Sequence, residues 1–342
     1  MKRLLVLFLL MPAPLFAQDT PGPSTAPAVD AATSAAAQSA QPGPSAHRRP
    51  SMVGYVDDST ISTKIRVRFD AGYGIDSPDR AEFFYGKCGC YRTLATNNAA
   101  YDPNAPGPGP GVVTNLNFGE LRVLGEYAPS ERFSFFGELP FRFLRPDTFA
   151  AGTGSFGSQN GIGDVKIGAK AALISTPQRQ VTAMLQFGTR TGDAAKGLGT
   201  NHGTIEPSLL YEESPNDRFS IEAEFGDVIP TSGSAGIPTA SADQFSSSVI
   251  YYGVGPSYEV YRTPSFTVAP VVELVGWHVL GGFQTSTTDA AAGGWDIVNL
   301  KVGARVGMRD GASIYVGYGH ALTKDNWYDN ILRLEYRRSF GR

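Results

Sequence analysis

The residues best placed to act on another molecule are charged side chains that alternate with apolar ones. Arg66 and Arg68 are interleaved with Ile65, Val67 and Phe69, and Arg333 and Arg337 with Leu332, Leu334 and Tyr336. Glu222 and Glu224 are interleaved with Ile221, Ala223 and Phe225, and Glu206 follows Ile205. A spacing of two puts every charge on one face of a strand and every apolar group on the other. Charges gathered on an inner wall can select solutes by their field. Arg66, Arg68, Arg333 and Arg337 are expected where the first and last strands meet, with Glu206, Glu222 and Glu224 across from them. Two outcomes stay open: a transverse field across a lumen, or local ion pairs with Asp70 and Glu335 that merely fill it.

Other candidates carry less. Cys88-Gly89-Cys90 is the whole cysteine complement. In an oxidising compartment it suggests a local loop disulfide, with metal capture or cross-linking between molecules as alternatives. The four histidines His47, His202, His278 and His320 show no metal-ligand spacing, and no His-x-Ser occurs. Neither metal nor cofactor is expected. Gly152-Thr153-Gly154-Ser155-Phe156-Gly157 spells a dinucleotide fingerprint without the strand-to-helix setting that gives it meaning.

The elements that must position the charges are strands. Of 342 residues only 18% are charged, against about 25% for an ordinary soluble chain. Residues 1–17 read as a signal peptide, with Lys2 and Arg3 ahead of a short apolar run. Residues 18–63 begin with an Ala/Pro/Ser-rich tract and are expected to be a disordered periplasmic segment. No later run is long enough for a membrane helix. From 64 to 340 the period-two pattern predicts an all-β, transmembrane, antiparallel up-and-down barrel. The expected strands are 64–75, 115–127, 132–143, 161–173, 180–190, 203–212, 219–227, 244–259, 266–278, 295–307, 312–321 and 328–340. The second is expected to slip phase near Gly119 and Glu120, and the eighth and ninth alternate less cleanly.

Connections alternate short and long. The short ones hold Pro129, Pro177, Pro215, Pro264 or Asp310-Gly311, as periplasmic turns of a barrel would, leaving the long loops outside the cell. Aromatics such as Tyr127, Phe133, Tyr258 and Phe266 flank the short turns at headgroup level. An even strand count brings both ends of the sheet to the short-turn side. Phe340 closes the last strand, although Arg338 sits on its apolar face.

Gly161-Ile162-Gly163-Asp164-Val165-Lys166-Ile167-Gly168-Ala169-Lys170 resembles a strand of outer-membrane transporters named for a link to phenol degradation, the MetA-pathway family. Glu138-Leu139-Pro140-Phe141, Thr191-Gly192-Asp193 and Lys196-Gly197-Leu198-Gly199 are similar too. The resemblance implies a barrel and passage of small organic solutes, aromatic ones among them. It offers no catalytic residues to carry over. The expected function is therefore a non-enzymatic channel for passive uptake in the outer membrane of a Gram-negative-type bacterium. Its partners would be outer-membrane lipid, the solute and the barrel assembly machinery. No basic patch points to nucleic acid. The alternatives are a structural or adhesive barrel and, less favoured, a lipid hydrolase.

Overall fold

The computed structural model describes residues 50–78, 86–231, 245–285 and 290–340. The expected signal peptide and most of the Ala/Pro/Ser-rich tract lie outside them. Twelve long strands follow in order: β1 Lys64–Ile75, β2 Val113–Ser130, β3 Phe133–Phe149, β4 Lys166–Ser175, β5 Arg179–Gly188, β6 Thr204–Glu213, β7 Phe219–Pro230, β8 Val249–Tyr258, β9 Phe266–Val279, β10 Asp296–Met308, β11 Ala312–Ala321 and β12 Asn330–Ser339. Each pairs antiparallel with its neighbours in the chain, and β1 pairs with β12 from Lys64↔Ser339 to Tyr73↔Asn330. The sheet therefore has no edge, the condition a bilayer imposes on any strand that crosses it.

Alternation decides which face meets lipid. Ile65, Phe69, Val123, Leu139, Ile167, Leu185, Val302, Val316 and Leu334 all point outward and are exposed. Their sequence neighbours Arg68, Glu120, Glu138, Lys301, Arg305, Arg333 and Glu335 point inward and are buried. Among the described residues no helix is long and apolar enough to cross a membrane; the strands make the crossing. At the short-turn end the exposed rings include Tyr127, Phe135, Tyr258, Tyr261 and Phe340. Arg338 reaches Asp310 at 3.6 Å and lies over the Phe340 ring, so its charge stays at the turn level.

Two local irregularities have plain causes. Gln159–Ile162 continues β4 toward the long-loop end but is separated from it at 163–165. The break faces Leu139 and Pro140, where proline has no N–H to give the ladder. Gly163 N instead donates to Pro140 O at 2.9 Å. The expected slip in β2 at Gly119 and Glu120 does not occur: pairing with β3 runs unbroken from Leu116↔Pro146 to Tyr127↔Phe135. The β2–β3 register shifts only near the ends of β2, at 113–116 and 127–130, and the β1–β2 register shifts between Gly72 and Ile75. The apparent slip comes from Leu116, Phe118 and Leu124, apolar residues that face inward and are buried there.

They are buried because the lumen is occupied. Residues 51–63, expected to be disordered outside the barrel, run inside it, with Ser51–Val56, Asp58, Ser59 and Ile61 buried. The glycines of β8 make room for them. A Cβ on Gly255 would sit 2.7 Å from Val53 Cγ1, and one on Gly253 would sit 2.9 Å from Val56 Cγ2. Ala269, Val271 and Val275 of β9 turn inward and are buried in the same apolar cluster as Met52, Val53 and Val56. This is why β8 and β9 alternate poorly: part of the interior is dry.

Candidate functional site: an occupied lumen and the cavity above it

The segment from 51 to 63 enters at the short-turn end, where Phe340 N donates to Thr63 O at 2.8 Å. It turns at 54–56 and doubles back, so that Ser51 O and Asp58 Oδ2 share Arg337 Nη1 at 3.5 and 3.0 Å. The barrel holds it mainly by its backbone. Glu273 accepts three successive N–H groups, from Gly54 (3.2 Å), Tyr55 (2.8 Å) and Val56 (2.8 Å). Successive amides cupped around a carboxylate form an anion nest, here with the anion supplied by the wall. Glu222 takes Met52 N at 2.8 Å and Val53 N at 3.3 Å, and Glu224 takes Asp57 N at 2.9 Å.

The carbonyls find cations. Arg305 donates to Met52 O (3.0 Å) and Val53 O (2.7 Å), Arg333 to Gly54 O (2.5 Å), and Lys170 to Asp58 O (2.7 Å). Ser59 O accepts from Thr182 at 2.7 Å and from Gln180. Asp58 is surrounded by Lys64, Lys170 and Arg337. Burial pushes its carboxyl up, but those three cations outweigh burial and hold it well below the usual carboxylate range.

Each expected lumen charge does face inward, but none stands free across open water. Arg66 pairs with Glu138 at 2.9 Å. Arg333 takes both oxygens of Asp70, at 2.6 and 2.8 Å. Arg337 joins Asp58 and Glu335, each at 3.0 Å. Arg66 and Arg337 lie directly opposite in the β1–β12 ladder, a repulsive register that these carboxylates relieve. Glu206 binds Lys166 at 2.9 Å and Thr204 at 2.6 Å. Glu222 and Glu224 hold the inserted segment. Local pairing therefore accounts for most of these charges. The grip on residues 51–57 was missed because it joins backbone groups to side chains more than a hundred residues away.

Toward the long-loop end a cavity of about 310 Å³ remains, with Tyr55 and Asp57 among its lining. A residual asymmetry survives there. On β12, β1, β2 and β3 it is lined by Arg66, Arg68, Arg122, Arg142 and Arg333 against Asp70, Glu120 and Glu138. The rest of the lining has Asp57, Asp164, Glu206 and Glu224 against Lys166 and Lys301. Asp164 ties the loop after β5 into the rim, accepting from Gly192 N (2.9 Å), Thr200 N (2.7 Å) and Thr200 Oγ1 (3.0 Å). His202, also lining the cavity, has its imidazole pKa lowered by burial and directs Nδ1 at Thr200 O, 2.9 Å away.

At the outer mouth Cys88 and Cys90 are joined as a disulfide, buried with Tyr91, Ala105 and Phe245. This stretch touches several loops: Thr285 Oγ1 donates to Tyr91 Oη at 3.3 Å, and Gly86 lies against Thr200 and Asn201. Ser77, just past β1, bonds Gln284 at 2.7 Å. Contacts to loops at separate points on the ring carry this chain across the mouth.

Residues 122–235 match the model of the family described as "Putative MetA-pathway of phenol degradation". The matched stretch runs from β2 to just past β7. The resemblance read from the sequence stands. In fold the barrel is similar to the COG4313 outer membrane channel from Pseudomonas putida F1, with a TM-score of 0.50 at 15% identity, covering 84% of this chain and 99% of that one. It is also similar to the NanC porin, with a TM-score of 0.44 at 11% identity, covering 81% of this chain and 100% of that one. No curated protein matches the chain in sequence.

Proposed function

We propose that the protein is an outer-membrane channel for passive uptake of small organic solutes, aromatic ones among them, and performs no catalysis. One observation carries this: a closed ring of twelve strands, apolar outside, encloses a charged interior that still holds a cavity between the inserted segment and the outer loops. The family's link to phenol degradation and the channel named among the similar folds agree with it. In the conformation described, residues 51–63 obstruct the lower lumen, so traffic requires that segment to shift or leave. Its bonds suit a removable part, because the carboxylates and guanidiniums that hold it would face a hydrated lumen once it withdrew. Liposome swelling and planar-bilayer conductance test the reading. Solute flux with discrete current steps between a low and a high level is expected. A barrel that inserts fully and passes neither ions nor small solutes under any condition would refute it.

A further inference from the structure

We propose that the cavity above the inserted segment is a binding site for a small organic carboxylate, anchored by Arg68 and Tyr55; this rests on the channel reading and names the solute class. Arg68 lies in the middle of β1, is 7% exposed and lines the cavity. Its nearest carboxylate is spoken for: both oxygens of Asp70 accept from Arg333. Arg68 Nε stands 3.4 Å from Asp70 Oδ2, a charge contact without hydrogen-bond geometry, and Nε has no hydrogen-bond partner. One Asp70 thus serves two guanidiniums, and Arg68 is the one left short. The Tyr55 hydroxyl, on the inserted segment, is buried in the same lining and likewise lacks a partner. Its ring is held against the same Asp70–Arg333 pair, with the Arg333 guanidinium 4.0 Å from the ring centre.

A buried guanidinium N–H and a buried phenol O–H, both unsatisfied beside one cavity, ask for an oxyanion acceptor. The body of the ligand follows from the rest of the wall. Phe118, Val228, Val275, Trp277, Tyr328 and Ile331 contribute apolar surface. At about 310 Å³ the space is at the lower end for small-molecule pockets, which suits a single ring bearing a carboxylate. Because Tyr55 belongs to the segment that blocks the lumen, an anion held there would also touch the part that must move.

The test is calorimetric titration of the full protein in detergent micelles with benzoate and with benzyl alcohol. The two share a ring and differ in the charged oxygen pair. Benzoate should bind saturably, and benzyl alcohol at least about tenfold more weakly. Arg68→Gln should weaken benzoate about ten- to a hundredfold, as loss of a charged hydrogen-bond donor does. Tyr55→Phe should weaken it several-fold; it removes one oxygen and keeps the ring, so it remains decisive if the Arg68 variant fails to assemble. Equal affinity for the two ligands, no binding of benzoate, or variants that bind benzoate like the parent would each overturn the proposal. Titration needs no flux. Binding without solute passage would sink the channel and spare the site, and passage without binding would do the reverse.

Discussion

Glu273→Ala should loosen the inserted segment. The Glu273 carboxylate, fully buried on β9, accepts from Gly54 N, Tyr55 N, Val56 N and Tyr315 Oη, at 3.2, 2.8, 2.8 and 3.0 Å. Only the three backbone bonds tie the segment to the wall; the fourth is internal to the barrel. At about 1 kcal/mol net for each bond, truncation removes roughly 3 kcal/mol from docking, on the order of a hundredfold in the docked-to-released ratio. The figure is net because freed amides are met by water in an open lumen. Barrel pairing of β9 with β8 and β10 uses main-chain groups that the substitution leaves alone. Single-channel recording in planar bilayers should show the high-conductance level occupied about a hundred times more often, with gel mobility before and after boiling unchanged. If the occupancy stays at the parental level while the barrel remains intact, residues 51–63 do not gate the lumen.

The converse variant carries Val53→Cys and Gly255→Cys, positions where a Cβ on Gly255 would lie 2.7 Å from Val53 Cγ1. Once oxidised it should conduct only at the low level and recover with reductant; a cross-link proven by mass spectrometry that leaves current unchanged contradicts the gate. Acid should release the segment. The cations around Asp58 depress its pKa, so its contribution to docking is fully present above the ordinary aspartate value of about 3.9 and is lost as pH falls through the depressed value. The high-conductance state should therefore grow well below pH 4, and less so in Asp58→Asn. Leu334→Arg puts a charge midway along the lipid face of β12 and should cost about 2–4 kcal/mol in reversible unfolding from bilayers. No destabilisation there would mean that this face does not meet lipid.

Much of the barrel was legible because one rule, side chains alternating across a strand, is written locally. β1 and β11 carry it cleanly enough that 64–75 and 312–321 are the observed bounds. Closure followed from the need of a sheet edge in lipid to find a partner, and the inward direction of Arg66, Arg68, Glu206, Glu222, Glu224, Arg333 and Arg337 from their phase. Where phase failed, the failure carried information: Gly253 and Gly255 on β8 and Val271 and Val275 on β9 look like faulty strand positions until Val53 and Val56 are seen against them.

Local alternation and turn chemistry were enough to place a lipid-facing wall, a polar interior and both ends of the sheet on the short-turn side. That the interior is filled, and by which residues, emerged from packing between parts of the chain far apart in sequence. Residues 51–63 have no period to read, since their partners are carboxylates, guanidiniums and lysine ammoniums spread from β1 to β12 and most of the bonds use their backbone. A main-chain amide is the same in every residue, so composition cannot announce that a carboxylate far along the chain is waiting for it. The same holds for Arg68: its charge was plain in the sequence, but whether Asp70 neutralises it depended on Arg333 arriving first.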